Sequence, residues 1–93
     1  MREKRIEQKL SKAVKAEGGL AIKFSSPGFD GVPDRLLLLS GGKLAFAETK
    51  VTGCKPRPLQ VKRKRQLEAL GFQVYVIDDE GQIGGILNEI RAT

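Results

Sequence analysis

Histidine is absent from this chain. No imidazole can act as a general base, so histidine-dependent nuclease and protease mechanisms are excluded. Cysteine occurs once, as Cys54. A lone thiol forms no internal disulfide and fits a reducing cytosol, and without histidine it leaves zinc short of its usual ligands. With no partner acid or base in sight, Cys54 is read as incidental. Aromatic residues are few (Phe24, Phe29, Phe46, Phe72 and Tyr75), which argues against a stacking platform for single-stranded nucleic acid. No run approaches the roughly 18 apolar residues of a membrane span. The opening residues Met1 to Arg5 lead into an amphipathic pattern and lack the apolar core of a signal peptide.

What is present is small and basic. Ninety-three residues read as one domain, 1–93, with a modest core that self-association would help. At 40% hydrophobic residues the chain is too apolar to be disordered. Seventeen basic residues face 11 acidic ones, a net charge of +6. Such an excess attracts polyanions, nucleic acid above all, although small basic proteins are also often merely soluble.

The patterning predicts the order α-β-β-β-α-β-α. Ile6, Leu10, Ala13 and Val14 recur at helical spacing over residues 3–17, and Gly18-Gly19 ends that helix. Residues 20–24 read as a strand and 25–32 as a loop with two turn signals. Residues 34–39 form a nearly continuous apolar run, expected of a strand covered on both faces. Gly41-Gly42 suits a hairpin turn into a strand over 43–51. A loop over 52–58 precedes a helix over 58–70, whose Leu59, Leu67 and Leu70 share a face. A strand over 72–77, an acidic turn and a short helix over 83–91, weakened by Gly84-Gly85, complete the chain. The helix at 58–70 crosses over to the last strand, so the expectation is a mixed sheet with helices against it.

The hairpin brings chemistry together. Asp34 opens its first strand, while Glu48 and Lys50 close its second, so all three should converge at one sheet edge. Leu44, Phe46, Glu48 and Lys50 share a face by alternation. A carboxylate there is costly unless it is paired or binds a cation. Lys50 and Glu48 could form a simple ion pair. Asp34 should arrive at the same place, and Glu7, at the border of the first helix's apolar stripe, either joins it or pairs with a nearby lysine. Two or three carboxylates against one lysine leave negative charge that a hard cation relieves. Carboxylates, waters and phosphate oxygens are the ligands Mg²⁺ takes, and Lys50 would orient the nucleophile and stabilise transition-state charge. Together with the basic composition this points to a nuclease. Lys55, Arg57, Lys62, Arg63, Lys64 and Arg65 are candidate phosphate contacts, or else a solvated helix face. Gln60 stands within reach of the acids. The loop carrying Ser26 could touch the strand being cut or a dimer partner.

Three blocks carry a family resemblance: residues 26–35 (Ser-Pro-Gly-Phe-Asp-Gly-Val-Pro-Asp-Arg), 46–50 (Phe-Ala-Glu-Thr-Lys) and 56–60 (Pro-Arg-Pro-Leu-Gln). In this order they resemble the virus-type replication-repair nuclease (VRR-NUC) domain, a minimal branch of the PD-(D/E)xK superfamily, from the first helix to the strand at 72–77. The resemblance implies an α/β, restriction-endonuclease-like αβββαβ core, a mixed central sheet flanked by helices. It implies dependence on Mg²⁺ or Mn²⁺. Asp34 and Glu48 match the metal-binding acids, and Thr49 would add its backbone carbonyl. Lys50 matches the catalytic lysine, Glu7 the acid of the first helix, and Gln60 the glutamine after the Pro-rich loop. Thr49 stands where the family often has an apolar residue, a departure that bears on packing. Stand-alone members of this size resemble Holliday junction resolvases and act as homodimers in the cytoplasm of phage-infected or bacterial cells. The expectation is therefore a structure-selective DNA endonuclease cutting four-way or other branched DNA. The alternatives are a nicking or restriction-like enzyme on duplex DNA and a non-catalytic nucleic-acid-binding module.

Overall fold

The computed structural model describes residues 2–93. Its elements are α1 (Arg2–Ala16), β1 (Leu20–Lys23), β2 (Arg35–Leu39), β3 (Lys43–Thr49), α2 (Pro58–Ala69), β4 (Gln73–Ile77) and α3 (Ile83–Ala92), with one 3₁₀ turn at Glu80–Gln82. The expected order holds throughout. The sheet runs β1-β2-β3-β4. The first three strands are antiparallel, and β4 lies parallel to β3 after the α2 crossover. Antiparallel neighbours need only the short turns found at Ser40–Gly42, whereas a parallel pair requires a crossover. Gly41 and Gly42 both take positive φ there, at 82° and 73°, which side chains disfavour.

One face of the sheet is covered. Ile6, Leu10 and Val14 of α1, with Ile83, Ile86, Leu87 and Ile90 of α3, pack on Leu37, Leu39, Ala45, Ala47 and Ile77. Small alanines on β3 let both helices approach the strands closely. Gly84-Gly85 does not prevent α3 from forming, because four buried apolar side chains fix it against the sheet. Tertiary burial outweighs the roughly 1 kcal/mol per residue that glycine costs in a helix.

Two expectations are corrected. β2 is not covered on both faces: Leu37 and Leu39 are buried, while Leu36 and Leu38 are only half-buried. On the side they face, Leu20, Ile22 and Leu44 remain exposed. The second correction concerns α2, which buries no residue at all. Leu59 and Leu70 of its expected apolar face are exposed and Leu67 is half-buried. This helix rests chiefly on β4, the edge strand, beside Val74, which is buried but stands apart from the main core cluster. Its four consecutive basic residues also leave no continuous apolar stripe to bury.

Candidate active site

The hairpin register places the first residues of β2 beside the last residues of β3, with Arg35 opposite Ala47. Asp34 therefore comes to Thr49. Its Oδ1 accepts the Thr49 backbone N–H at 3.3 Å, and its Oδ2 lies 3.3 Å from Thr49 Oγ1. The Asp34 carbonyl in turn accepts the Phe24 N–H at 2.9 Å, tying the site to the end of β1. Glu7 reaches the same hydroxyl from α1, with Oε2 3.3 Å from Thr49 Oγ1. Thr49 is completely buried. A hydroxyl has one proton, so Thr49 can donate to only one of the two carboxylates at a time.

Glu7 is also held by Arg35, whose Nη2 lies 2.9 Å from its Oε1. Sequence reasoning assigned Arg35 no role. The available signal was its position directly after Asp34, where antiparallel pairing turns it toward α1. Its guanidinium matches the charge of Glu7, and Asp34 and Glu48 then carry the negative charge of the site.

Glu48 is 8% exposed and projects from the opposite face of β3. Its Oε2 accepts from Gln60 Nε2 at 2.9 Å and pairs with Lys50 Nζ at 3.3 Å. Its Oε1 is buried with no hydrogen-bond partner. Gln60 is set by α2 itself, because its Oε1 accepts the Arg57 N–H at 2.9 Å at the helix start. That bond occupies the amide oxygen and leaves the NH₂ group for Glu48. The end of β3 thus carries two adjoining groups, Glu7, Asp34 and Thr49 with Arg35 on one side and Glu48, Lys50 and Gln60 on the other, with the Asp34 charge felt at Glu48.

Burial raises the Glu48 carboxyl above its ordinary 4.5, and the nearby Asp34 charge adds to the rise while Lys50 opposes it. Burial likewise raises Asp34 above 3.8, against the pull of the Thr49 amide and Arg35. Both groups therefore resist ionisation unless more positive charge arrives. Among the described residues, no three carboxylate, cysteine or histidine side chains gather closely enough to hold a metal ion. The donor set that fits a hard cation is the Asp34 and Glu48 carboxylates, completed by oxygens from outside the side chains. An orphaned, buried carboxylate oxygen is the specific feature a cation would satisfy.

The candidate phosphate contacts divide. Lys55, Arg57, Lys62 and Arg65 are exposed. Arg63 is half-buried: its Nε donates to the Asp30 carbonyl at 2.7 Å, and its guanidinium sits 3.8 Å above the Phe29 ring. Lys64 pairs with Glu68 at 2.7 Å and borders the small hollow beside Glu48 and Gln60. Ser26 accepts the Phe29 N–H at 3.0 Å through its carbonyl, within the same loop.

No family model matches the chain. It is 49% identical over 80 residues to "Putative nuclease p44" of Acyrthosiphon pisum secondary endosymbiont phage 1, an alignment spanning 86% of each protein. A solved structure described as a VRR_NUC domain superposes with a TM-score of 0.88 at 29% identity, over 95% of this chain and 96% of that one. With the fold, the two relatives and the convergent acids in agreement, the chain belongs to the VRR-NUC family and is a nuclease of that type.

Proposed function

We propose that the protein is a metal-dependent endodeoxyribonuclease that cuts branched DNA, with the four-way junction as its leading substrate, and that it works as a homodimer. The observation that carries the hydrolytic reading is Glu48. It is buried beside Asp34, held on one oxygen by Gln60 and Lys50, and left with its other oxygen unpartnered.

Asp34, Glu48 and the Thr49 backbone carbonyl would hold the cation, Mg²⁺ or Mn²⁺. Such an ion polarises the scissile phosphate and lowers the pKa of water at the site. Thr49 and Arg35 keep Asp34 and Glu7 in place, and Gln60 fixes the Glu48 carboxylate. Lys50 Nζ, 3.3 Å from Glu48 Oε2, would orient a water and place positive charge against the phosphoryl oxygens. In the reaction, the oxygen of a water bonds to phosphorus as that water gives up a proton, and one P–O ester bond breaks. The departing sugar oxygen takes up a proton. No imidazole is needed, in keeping with the lack of histidine.

The open apolar side of the sheet supports the dimer. Leu20 is 61% exposed, Phe72 43% and Ile22 42%. Side-chain alternation places Leu44 and Phe46 on the same face of β3 as Glu48. A second copy seated there would bring two sites toward one surface. Two-fold symmetry of that kind matches two symmetric strands of a four-way junction.

The decisive experiment incubates the protein with labelled four-way junction, splayed-arm and linear duplex DNA, with Mg²⁺ or EDTA, beside Lys50→Ala. Paired symmetric nicks in the junction alone, lost with EDTA and in the variant, establish the proposal. Equal cutting of all three substrates keeps the hydrolytic chemistry and sinks the junction preference. Binding without cutting of any substrate moves the reading to a binding module.

A further inference from the structure

A nucleic-acid strand laid over Asp34 and Glu48 has to continue on both sides of them. On one side stands α2 with its preceding loop, where Arg63 and Lys64 are engaged within the protein. On the other side a hollow leads away along the junction of β1 and α1. Its first part, about 310 Å³, is bounded by Asp34, Glu7, Arg35, Lys23 and Ser25. It continues past Glu7 and Arg35 to Lys4, Gln8 and Ser11. From Gln8 it opens onto Lys12, with Arg5 and Lys9 alongside.

The residues along this path are regularly placed. Lys4, Gln8 and Lys12 fall four apart on α1, so they form one row of about 12 Å. Lys23 pairs across the sheet with Arg35, which itself faces α1. All four of Lys4, Gln8, Lys12 and Lys23 are exposed. Among the described residues, Lys4, Lys12 and Lys23 form no ion pair, whereas Arg5 and Lys9 on the same helix share Glu80. Lys4, Lys12 and Lys23 thus leave uncompensated positive charge along a hollow that begins at the acids, and Arg5 and Lys9, which border its far part, direct theirs to Glu80.

We propose that this hollow is a second phosphate track, carrying the DNA backbone away from the acids on the side opposite α2. Lys23 and Lys4 meet the phosphates nearest the site and Lys12 the next, with Gln8 and Ser11 as neutral donors between them. The track reads charge and spacing, not bases, so it lengthens the site without adding sequence preference. This inference rests on the nuclease reading above and extends it to a surface that the sequence did not single out.

The test is binding in EDTA, where cutting cannot interfere, measured by fluorescence anisotropy on labelled duplex and junction DNA from about 50 to 200 mM salt. Lys4→Ala/Lys12→Ala/Lys23→Ala is compared with Lys43→Ala, which removes one charge at the opposite end of the hairpin. All four positions lie outside the buried core, and thermal melts confirm that the variants fold. The expected result is an affinity about tenfold or more below wild type for the triple variant, with a salt slope reduced by about 3. Lys43→Ala should stay near wild type. A triple variant matching Lys43→Ala in affinity and slope overturns the track and leaves the nuclease reading standing. A wild-type protein that cuts no DNA but shows the expected loss in the triple variant sinks the nuclease reading and keeps the surface. A wild-type protein that binds no DNA overturns both.

Discussion

At the scale of single residues, the site is built against its own stability. Asp34 and Glu48 have carboxyl groups raised above their ordinary values, burial being the main cause in each. A raised carboxyl favours the folded state while protonated and loses that advantage as pH rises from the unfolded value through the folded one. Ionised at neutral pH, both groups therefore weaken the fold. Glu48→Gln removes one charge and preserves the shape and an oxygen for Gln60. It should abolish cleavage and yet raise Tm by a few degrees at pH 7.5, on the order of 1 kcal/mol. That gain should fade toward pH 4, where the wild-type carboxyl is itself protonated. Mg²⁺ should raise the Tm of wild type and not of Glu48→Gln. Calorimetry across pH, with and without Mg²⁺, checks all three statements, and a Glu48→Gln protein that melts below wild type at pH 7.5 refutes the electrostatic account.

Thr49 belongs to the same scale. Its hydroxyl stands between Glu7 and Asp34, 3.3 Å from each. Thr49→Val keeps the volume but leaves those carboxylates one donor short. The expected effect is a 10- to 100-fold rise in the Mg²⁺ concentration needed for half-maximal cleavage, about the cost of losing a supporting hydrogen bond at a metal site. Thr49→Ser should restore most of it. Titration of activity with Mg²⁺ reads the effect, and unchanged Mg²⁺ dependence in Thr49→Val would show the hydroxyl to be passive. The convergence of Asp34, Glu48 and Lys50 was legible in the sequence, because a hairpin with known turn residues fixes which strand ends meet. The role of Arg35 was not, because its partner Glu7 is 28 positions away and only the packing of α1 on the sheet brings them together.

At the scale of elements, α2 organises the site without contributing to the core. Gln60 carries its N-terminal turn to Glu48. Arg63, one turn further on, grips the loop that ends in Asp34, through Asp30 and Phe29. Leu59 of the same helix covers Gly31, where φ is +89° and an added Cβ would sit 2.7 Å from Leu59 Cγ. One helix thus registers both acids. Arg63→Ala should slow cleavage by about tenfold through misplacement of Asp34, an effect plausible because ångström-scale errors can be that costly. DNA affinity in EDTA should change little more than for Arg65→Ala. If Arg63 were instead a phosphate contact, affinity would fall and the salt slope with it, while turnover at saturating DNA would hold. Gly31→Ala should be worse for folding as well, through both strain and clash, by about 1–3 kcal/mol in denaturant melts. The existence and order of the elements were readable from periodicity. The exposure of α2 was not, since Leu59, Leu67 and Leu70 align on any helical projection, and only the position of β4 at the sheet edge shows that the main core cluster lies elsewhere.

At the scale of the whole molecule, the open sheet face is the unresolved charge on the fold's stability. A chain of 93 residues already buries a small core. Leaving Leu20, Ile22, Leu44 and Phe72 in water forgoes part of what it could bury, at about 25 cal/mol per Å² of apolar surface. A contiguous apolar area of this kind on a basic, otherwise polar protein marks an interaction surface. A second copy would satisfy it with no further partner, because an isologous contact needs only one self-complementary patch. Ile22→Glu/Leu44→Glu should then convert a dimer to a monomer in sedimentation at tens of micromolar protein, while the isolated fold survives, since neither side chain is buried. Catalysis should separate from symmetry in this variant: single nicks in a four-way junction persist, but the paired nicks that resolve it are lost or become uncoupled in time. A wild-type protein that sediments as a monomer at that concentration and still makes coupled nicks would place the second cut elsewhere, in a transient encounter on the DNA itself.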